Sequence, residues 1–247
     1  MHAMATPPVP ITEGKFDGLF RYTLEVAALN DITPRTRVVT FASEGLSNMP
    51  YEAGQDFMFF VPNGAGTVNR RYTIRRVDRD ASTIDFAFFR HASGPAANWV
   101  ETAKVGDTIE AIGPRGVIFV DRDADWHLFL ADDAAVPATM TMIESIAPGV
   151  DVTALMLVVD ADEIRSVNVD ANARVSWHHD QRVLLDALRA VEIPAGRGHV
   201  YLNGELHLVR EAASIVRELG VDDELVSRKN YWRRDQANAP HGEPAKD

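Results

Sequence analysis

Four arginines fall within the seven residues Arg70 to Arg76, around the aromatic–hydroxyl pair Tyr72-Thr73. About twenty residues on, His91-Ala92-Ser93-Gly94-Pro95-Ala96-Ala97-Asn98-Trp99 supplies a histidine, a Gly-Pro turn and small side chains where a short helix would begin. An aromatic platform close to an anion cradle is what a flavin dinucleotide needs, because its ring system must be stacked and its pyrophosphate neutralised. Tyr72 is suited to pack on the isoalloxazine. The Thr73 hydroxyl and neighbouring amides can reach the ring edge, and Arg70, with Arg75 in the same basic run, can balance the pyrophosphate. The plainer reading is a solvated, arginine-studded strand with a packed tyrosine, and it would suffice for the motif alone. Gly94, Pro95, Ala96 and Ala97 favour the flavin, since a helix start with small residues opens its amides and positive dipole end to phosphate. His91 is read as a cofactor contact and Trp99 as core.

These residues must be held by strands. From Tyr22 to about Val120, short apolar or alternating runs recur: Leu24–Leu29, Val38–Phe41, Asp56–Val61, Tyr72–Val77, Thr83–Phe89 and Thr108–Ile112. Six short strands at this spacing predict a closed antiparallel barrel. One helix interrupts it, over Pro95–Lys104, with proline just inside its start. After the polar stretch Arg122-Asp123-Ala124-Asp125 the rhythm becomes strand–helix alternation: strands at Trp126–Ala131, Val152–Val159 and His199–Asn203, and helices at Ala134–Ile146, Asp180–Val191 and Glu205–Leu219. Alternation of this kind implies a parallel sheet. The expected architecture is therefore β plus α/β: a barrel domain over residues 16–122, a parallel-sheet domain over 123–234, and a disordered tail over 235–247.

Several residues of the second half invite chemistry. Asp132 and Asp133 follow its first strand, where a dinucleotide fold ordinarily has glycines; carboxylates there cap a helix but repel a pyrophosphate. Asp160, Asp162, Glu163 and Arg165 follow the second strand, the place from which a ribose 2′-hydroxyl or 2′-phosphate is read. Gly204-Glu205 is, as bare sequence, an ordinary helix start. His178 and His179 are adjacent, so they do not converge on one ion, and they are assigned to a loop and helix cap. Met140 and Met142 belong to a core. Tyr231-Trp232-Arg233-Arg234 joins an aromatic pair to two cations; a solvated C-terminal strand is the plainer reading, but an exposed Tyr-Trp pair would be unusual without something to cover.

Composition removes whole classes. The 247 residues include no cysteine, which excludes disulfides, thiolate-held clusters and cysteine nucleophiles. A net charge of −11 and a pI near 5.2 argue against general affinity for nucleic acid or anionic membrane. No run of eighteen apolar residues and no secretory pattern is present, so a cytoplasmic protein without membrane insertion is expected.

Taken in order, Arg70 to Arg75, His91 to Trp99, Val105-Gly106-Asp107, Gly113-Pro114-Arg115-Gly116, Ala131 to Ala138, Asn203-Gly204-Glu205 and Asn230 to Arg234 resemble the siderophore-interacting protein family over roughly Phe16 to Arg234. That family consists of FAD-dependent ferric-siderophore reductases with a ferredoxin-reductase-like fold. The resemblance implies FAD held by Arg70, Tyr72, Thr73, His91 and the Gly94 to Ala97 turn. It also implies that Asp132 and Ala134 border the flavin, that Gly204-Glu205 lies near a loosely bound NADH or NADPH, and that the Trp232 segment folds back toward the flavin and substrate. Ala92, Ala97, Ala134 and Asp235 stand where the family usually has glycine, serine, threonine and glycine. An anionic ferric siderophore would need a local basic pocket, for which Arg115, Arg233, Arg234 and the Arg70 to Arg76 run are the material. No side-chain acid or base is required, so no catalytic residue is assigned and no resident metal is expected. Two rival readings accompany this one: a flavin reductase of the same fold with another acceptor, and a siderophore-binding flavoprotein without turnover. The siderophore, the nicotinamide and the oligomeric state stay open at this level.

Overall fold

The computed structural model describes residues 7–90 and 94–234. His91, Asp235 and the tail assigned above to disorder lie outside the described residues. The chain divides into two units, Met1–Phe119 and Val120–Asp247, each with its own core.

The first unit contains β1 (Val9–Pro10), β2 (Phe20–Thr33), β3 (Thr36–Ala42), β4 (Asp56–Asn63), β5 (Gly66–Asp78), β6 (Thr83–Phe89), α1 (Pro95–Thr102) and β7 (Thr108–Arg115). Its strands pair in the order β1-β2-β3-β6-β5-β4-β7, and β2 also pairs with β7, so six antiparallel strands close on themselves as expected. Alternation fills the interior: Phe57, Phe59 and Val61 of β4 meet Phe41, Ile74, Ile84 and Phe86 in one buried cluster. Gly113 is required where β7 crosses Phe57, because a Cβ there would lie 2.1 Å from the ring. Trp99 of α1 stacks on Phe41 at 6.1 Å, the core role expected of it.

The second unit contains β8 (Trp126–Asp132), α2 (Val136–Glu144), β9 (Asp151–Leu157), β10 (Asn172–His178), α3 (Gln181–Arg189), β11 (Gly198–Glu205), α4 (Leu206–Glu218) and β12 (Val226–Trp232). The sheet order is β10-β9-β8-β11-β12, parallel throughout. Every residue of the central strand β8 is buried, which explains why it is mostly apolar, with His127 and Asp132 as its polar members. Strand order reverses between β8 and β11, so the carboxyl ends of those two strands form the point at which open parallel sheets bind ligands. Strand β10 was not expected, and β12 only as the plainer reading of the segment 231–234. Both lie at sheet edges and read as polar or mixed, Asn-Ala-Arg-Val-Ser-Trp-His and Val-Ser-Arg-Lys-Asn-Tyr-Trp, because an edge strand needs less apolar surface. The segment assigned to a loop at His178 is thus the end of β10, where the ring lies 3.0 Å from the Ser176 hydroxyl, while Asp180 caps α3 through the Val183 amide.

Candidate functional site

In the first unit, β5 and α1 carry the flavin candidates. Tyr72 is half-buried, its ring 4.1 Å from Phe88 and 5.8 Å from Phe59, and burial pushes its hydroxyl pKa up, so the phenol stays neutral. Phe88 also meets Trp99 of α1 at 6.1 Å. One core ring therefore sets the Tyr72 platform relative to α1. At the start of α1, the N-cap residue Gly94 is extended and supplies no side-chain cap, and Pro95 occupies the first position, where its missing N–H costs nothing. The first amides of a helix have no partner within it, so those of Ala96 and Ala97 must be met from outside the helix. A Cβ on Gly94 would meet no atom within 4 Å outside its chain neighbours, so the space beside the helix start is not filled by packing. The unit thus offers both features a flavin dinucleotide requires, and its residues fit FAD.

Thr73 and Arg115 are placed differently from the other candidates. Thr73 is buried and pairs across the ladder with Asp56, which in turn pairs with Arg115 of β7. The Arg115 guanidinium lies 3.5 Å from the Asp56 carboxylate and over the Phe16 ring, with 13% of its side chain exposed. Adjacent residues of a strand face opposite sides, so Thr73 joins this ion-paired row on the face away from Tyr72. Arg115, expected at the chelate, instead ties β7 to β4. Arg70 donates to the Asn69 carbonyl at 2.8 Å, and Arg75 is partly buried on the same strand.

At the carboxyl ends of β8, β11 and β12, Asp132, Gly204, Glu205 and Trp232 do come together, and they do so through each other. Asp132 ends β8 and is buried; its Oδ1 accepts the Ala134 and Ala135 amides at 3.1 and 3.3 Å. Its Oδ2 accepts the Glu205 amide and the Trp232 indole N–H, both at 2.7 Å. Burial pushes this carboxyl up to about 6, against the downward pull of those four donors. Gly204, at φ +144°, makes the approach possible, because a Cβ there would lie 2.7 Å from the Asp132 carboxyl carbon. Glu205 then caps α4 through the His207 and Leu208 amides and accepts the Arg234 amide, bonds that hold its pKa down although burial raises it. The sequence reading missed this knot of β8, β11 and β12. Its one local signal was the glycine before Glu205. Because Asp132 already takes the amides that precede α2, this turn is no cradle for a pyrophosphate. Arg233 and Arg234 follow β12 and are exposed.

Next to Asp132, Asp133 accepts the Val159 amide, and burial followed by the charges of Asp132 and Glu163 pushes it up to about 7. Glu163 is fully buried and pairs with Arg165 at 3.5 Å. Among the described residues, no three His, Asp or Glu side chains form a group that could hold a metal ion, and no helix is long and apolar enough to cross a membrane.

Comparison with known proteins extends the geometry. Residues 51–118, which carry β5 and α1, match the family model described as the siderophore-interacting FAD-binding domain, and residues 124–235 match that of the siderophore-interacting protein. A siderophore utilization protein from T. fusca, known from its crystal structure, is 28% identical, with a TM-score of 0.81 over 92% of this chain and 98% of that one. Ferric vibriobactin reductase of Vibrio cholerae is 24% identical over 79% of this chain and 83% of its own length. The NADPH-dependent ferric-chelate reductase of Escherichia coli is 27% identical over 69% and 68% respectively. An FAD-binding barrel followed by a parallel α/β unit, each matched by a model of the same kind, makes the chain a member of the siderophore-interacting protein family.

Proposed function

We propose that this protein reduces iron(III)–siderophore complexes and thereby releases iron(II), with FAD as resident carrier and NADH or NADPH as reductant. The observation that most supports this is a coincidence: the match to the family's FAD-binding domain falls on the strand and helix that carry Tyr72 and the glycine-capped, small-residue start of α1. Bound flavin would take two electrons from a nicotinamide and deliver them singly to iron(III). The chain's own contribution is positional. Tyr72, held by Phe59 and Phe88, forms a rigid wall for the ring; the Ala96 and Ala97 amides meet phosphate at the positive end of α1; Arg70 and Arg75 balance the remaining charge. Exposed Arg233 and Arg234 are the material for an anionic chelate, while Arg115 remains with Asp56. Release follows from reduction because hard oxygen ligands hold iron(II) far less tightly than iron(III). Two relatives named as reductases of ferric vibriobactin and of ferric chelates support the reading.

The purified protein should be yellow, with the absorbance of oxidised flavin. Under anaerobic conditions NADH or NADPH should bleach it, and a ferric siderophore should restore the colour while an iron(II) chelator reports the product. Bleaching by neither nicotinamide would rule out the reductase as stated. Bleaching followed by recovery only with free flavin or a protein acceptor would move the activity to another substrate.

A further inference from the structure

The residues just past β9 bear on which nicotinamide is used. In an open parallel sheet, the adenosine ribose of a dinucleotide is read at the end of the second strand, by an acid when its 2′-hydroxyl is free and by arginine when it carries a 2′-phosphate. Here that position holds a single 3₁₀ turn, Ala161–Glu163, capped by Asp160, whose carboxylate accepts the Asp162 amide at 3.1 Å. Asp162 is exposed. The only basic residue between Val158 and Ala173 is Arg165. It is turned inward: 10% of its side chain is exposed, its Nε donates to the Glu163 carbonyl at 3.3 Å, and its Nη2 lies 3.5 Å from the buried Glu163 carboxylate. Asp133 adds a further carboxyl, bound by the Val159 amide and acted on by both Glu163 and Arg165. A guanidinium neutralised in this way has little charge left for a ligand. A 2′-phosphate would meet the carboxylates of Asp160 and Asp162 instead. Val159 and Ile164, each 44% exposed, flank the turn in the chain and give apolar surface suited to an adenine face.

Resting on the nicotinamide reading above, we infer that Asp160 and Asp162, with Arg165 sequestered by Glu163, make this protein selective for NADH against NADPH. In this it departs from its Escherichia coli relative, whose name specifies NADPH.

The test is equilibrium binding to the whole protein of 5′-AMP and 2′,5′-ADP, which carry the two adenosine ends without the redox group, alongside NADH and NADPH. Titration calorimetry or ligand-observed NMR reads it without turnover. The phosphate placed beside carboxylates should weaken 2′,5′-ADP by about tenfold or more relative to 5′-AMP, and NADPH likewise relative to NADH, with the gap narrowing as salt is raised. Asp162→Arg, an exposed substitution, should strengthen 2′,5′-ADP by about tenfold relative to 5′-AMP. Asp160→Ser, which keeps an oxygen for the turn, should weaken 5′-AMP instead. Equal affinities, tighter binding of the 2′-phosphorylated forms, or a ratio that neither variant moves would overturn the selectivity and leave the reductase intact. Failure of all four ligands to bind would overturn the nicotinamide reading, and the selectivity with it.

Discussion

Asp132 and Asp133 are neighbours in sequence, both pushed upward by burial, yet their surroundings give them different work. Asp132 has four N–H donors and joins three strand ends. Removing one donor by Trp232→Phe leaves a buried carboxylate under-satisfied, a loss of about 1–3 kcal/mol that urea unfolding should register. Gly204→Ala strains the same point twice, by a positive φ and by a Cβ directed at the Asp132 carboxyl, so its cost should be at least as large. If both variants unfold at the wild-type midpoint, the knot contributes nothing. Asp133 behaves otherwise. An acid whose pKa is raised by folding keeps its proton longer in the folded state, so the associated stability is present at low pH and is lost as pH rises from the ordinary 3.8 through about 7. Asp133→Asn should therefore raise the melting temperature most at pH 8 and progressively less toward pH 5. An equal rise at both values would show that the carboxyl is not strained.

Elements decide what these residues can bind. Helix α1 packs its Trp99 and Val100 into the barrel core and has glycine at its N-cap, a residue that stabilises the helix less than Ser or Asp would. Stability and binding can be set against each other here. Ala97→Asp adds a negative charge at the third helical position, where the dipole favours it by about 0.3–1 kcal/mol, but places that charge beside the phosphates. The deflavinated variant should melt no lower than wild type, while fluorescence titration should show FAD affinity reduced about tenfold or more. Unchanged FAD affinity would place the pyrophosphate elsewhere. The same contrast between packing and exposure governs what could be read in advance. Strands β6 and β8 were legible almost to the residue because their patterns follow burial, alternating in β6 and complete in β8, whereas β10 and β12 at the sheet edges wrote no such pattern. The helix start at Gly94-Pro95 was legible because backbone chemistry dictates it. The Asp132 knot was not, since it joins residues up to one hundred positions apart and depends on register between three parallel strands.

At the scale of the molecule, two units with separate cores carry a net charge of −11. Composition alone foretold that an anionic substrate would need local cations, but not which arginines are available: Arg115 is bound to Asp56, and Arg165 to Glu163. Arg233 and Arg234, which follow β12, are exposed. This division gives a signed expectation for substrate capture. Repulsion from the whole molecule acts at long range and is screened by salt, with a Debye length that falls from about 30 Å at 0.01 M to about 8 Å at 0.15 M, whereas contact pairs are screened less. Over that range the second-order rate at which an anionic ferric chelate reoxidises the reduced protein should rise, and the rate with a neutral ferric hydroxamate should stay flat. Stopped-flow absorbance of the flavin follows both. A rate that falls with salt for the anionic chelate alone would mean that the local arginines outweigh the global charge even at a distance, and Arg233→Ala with Arg234→Ala should then abolish the fall.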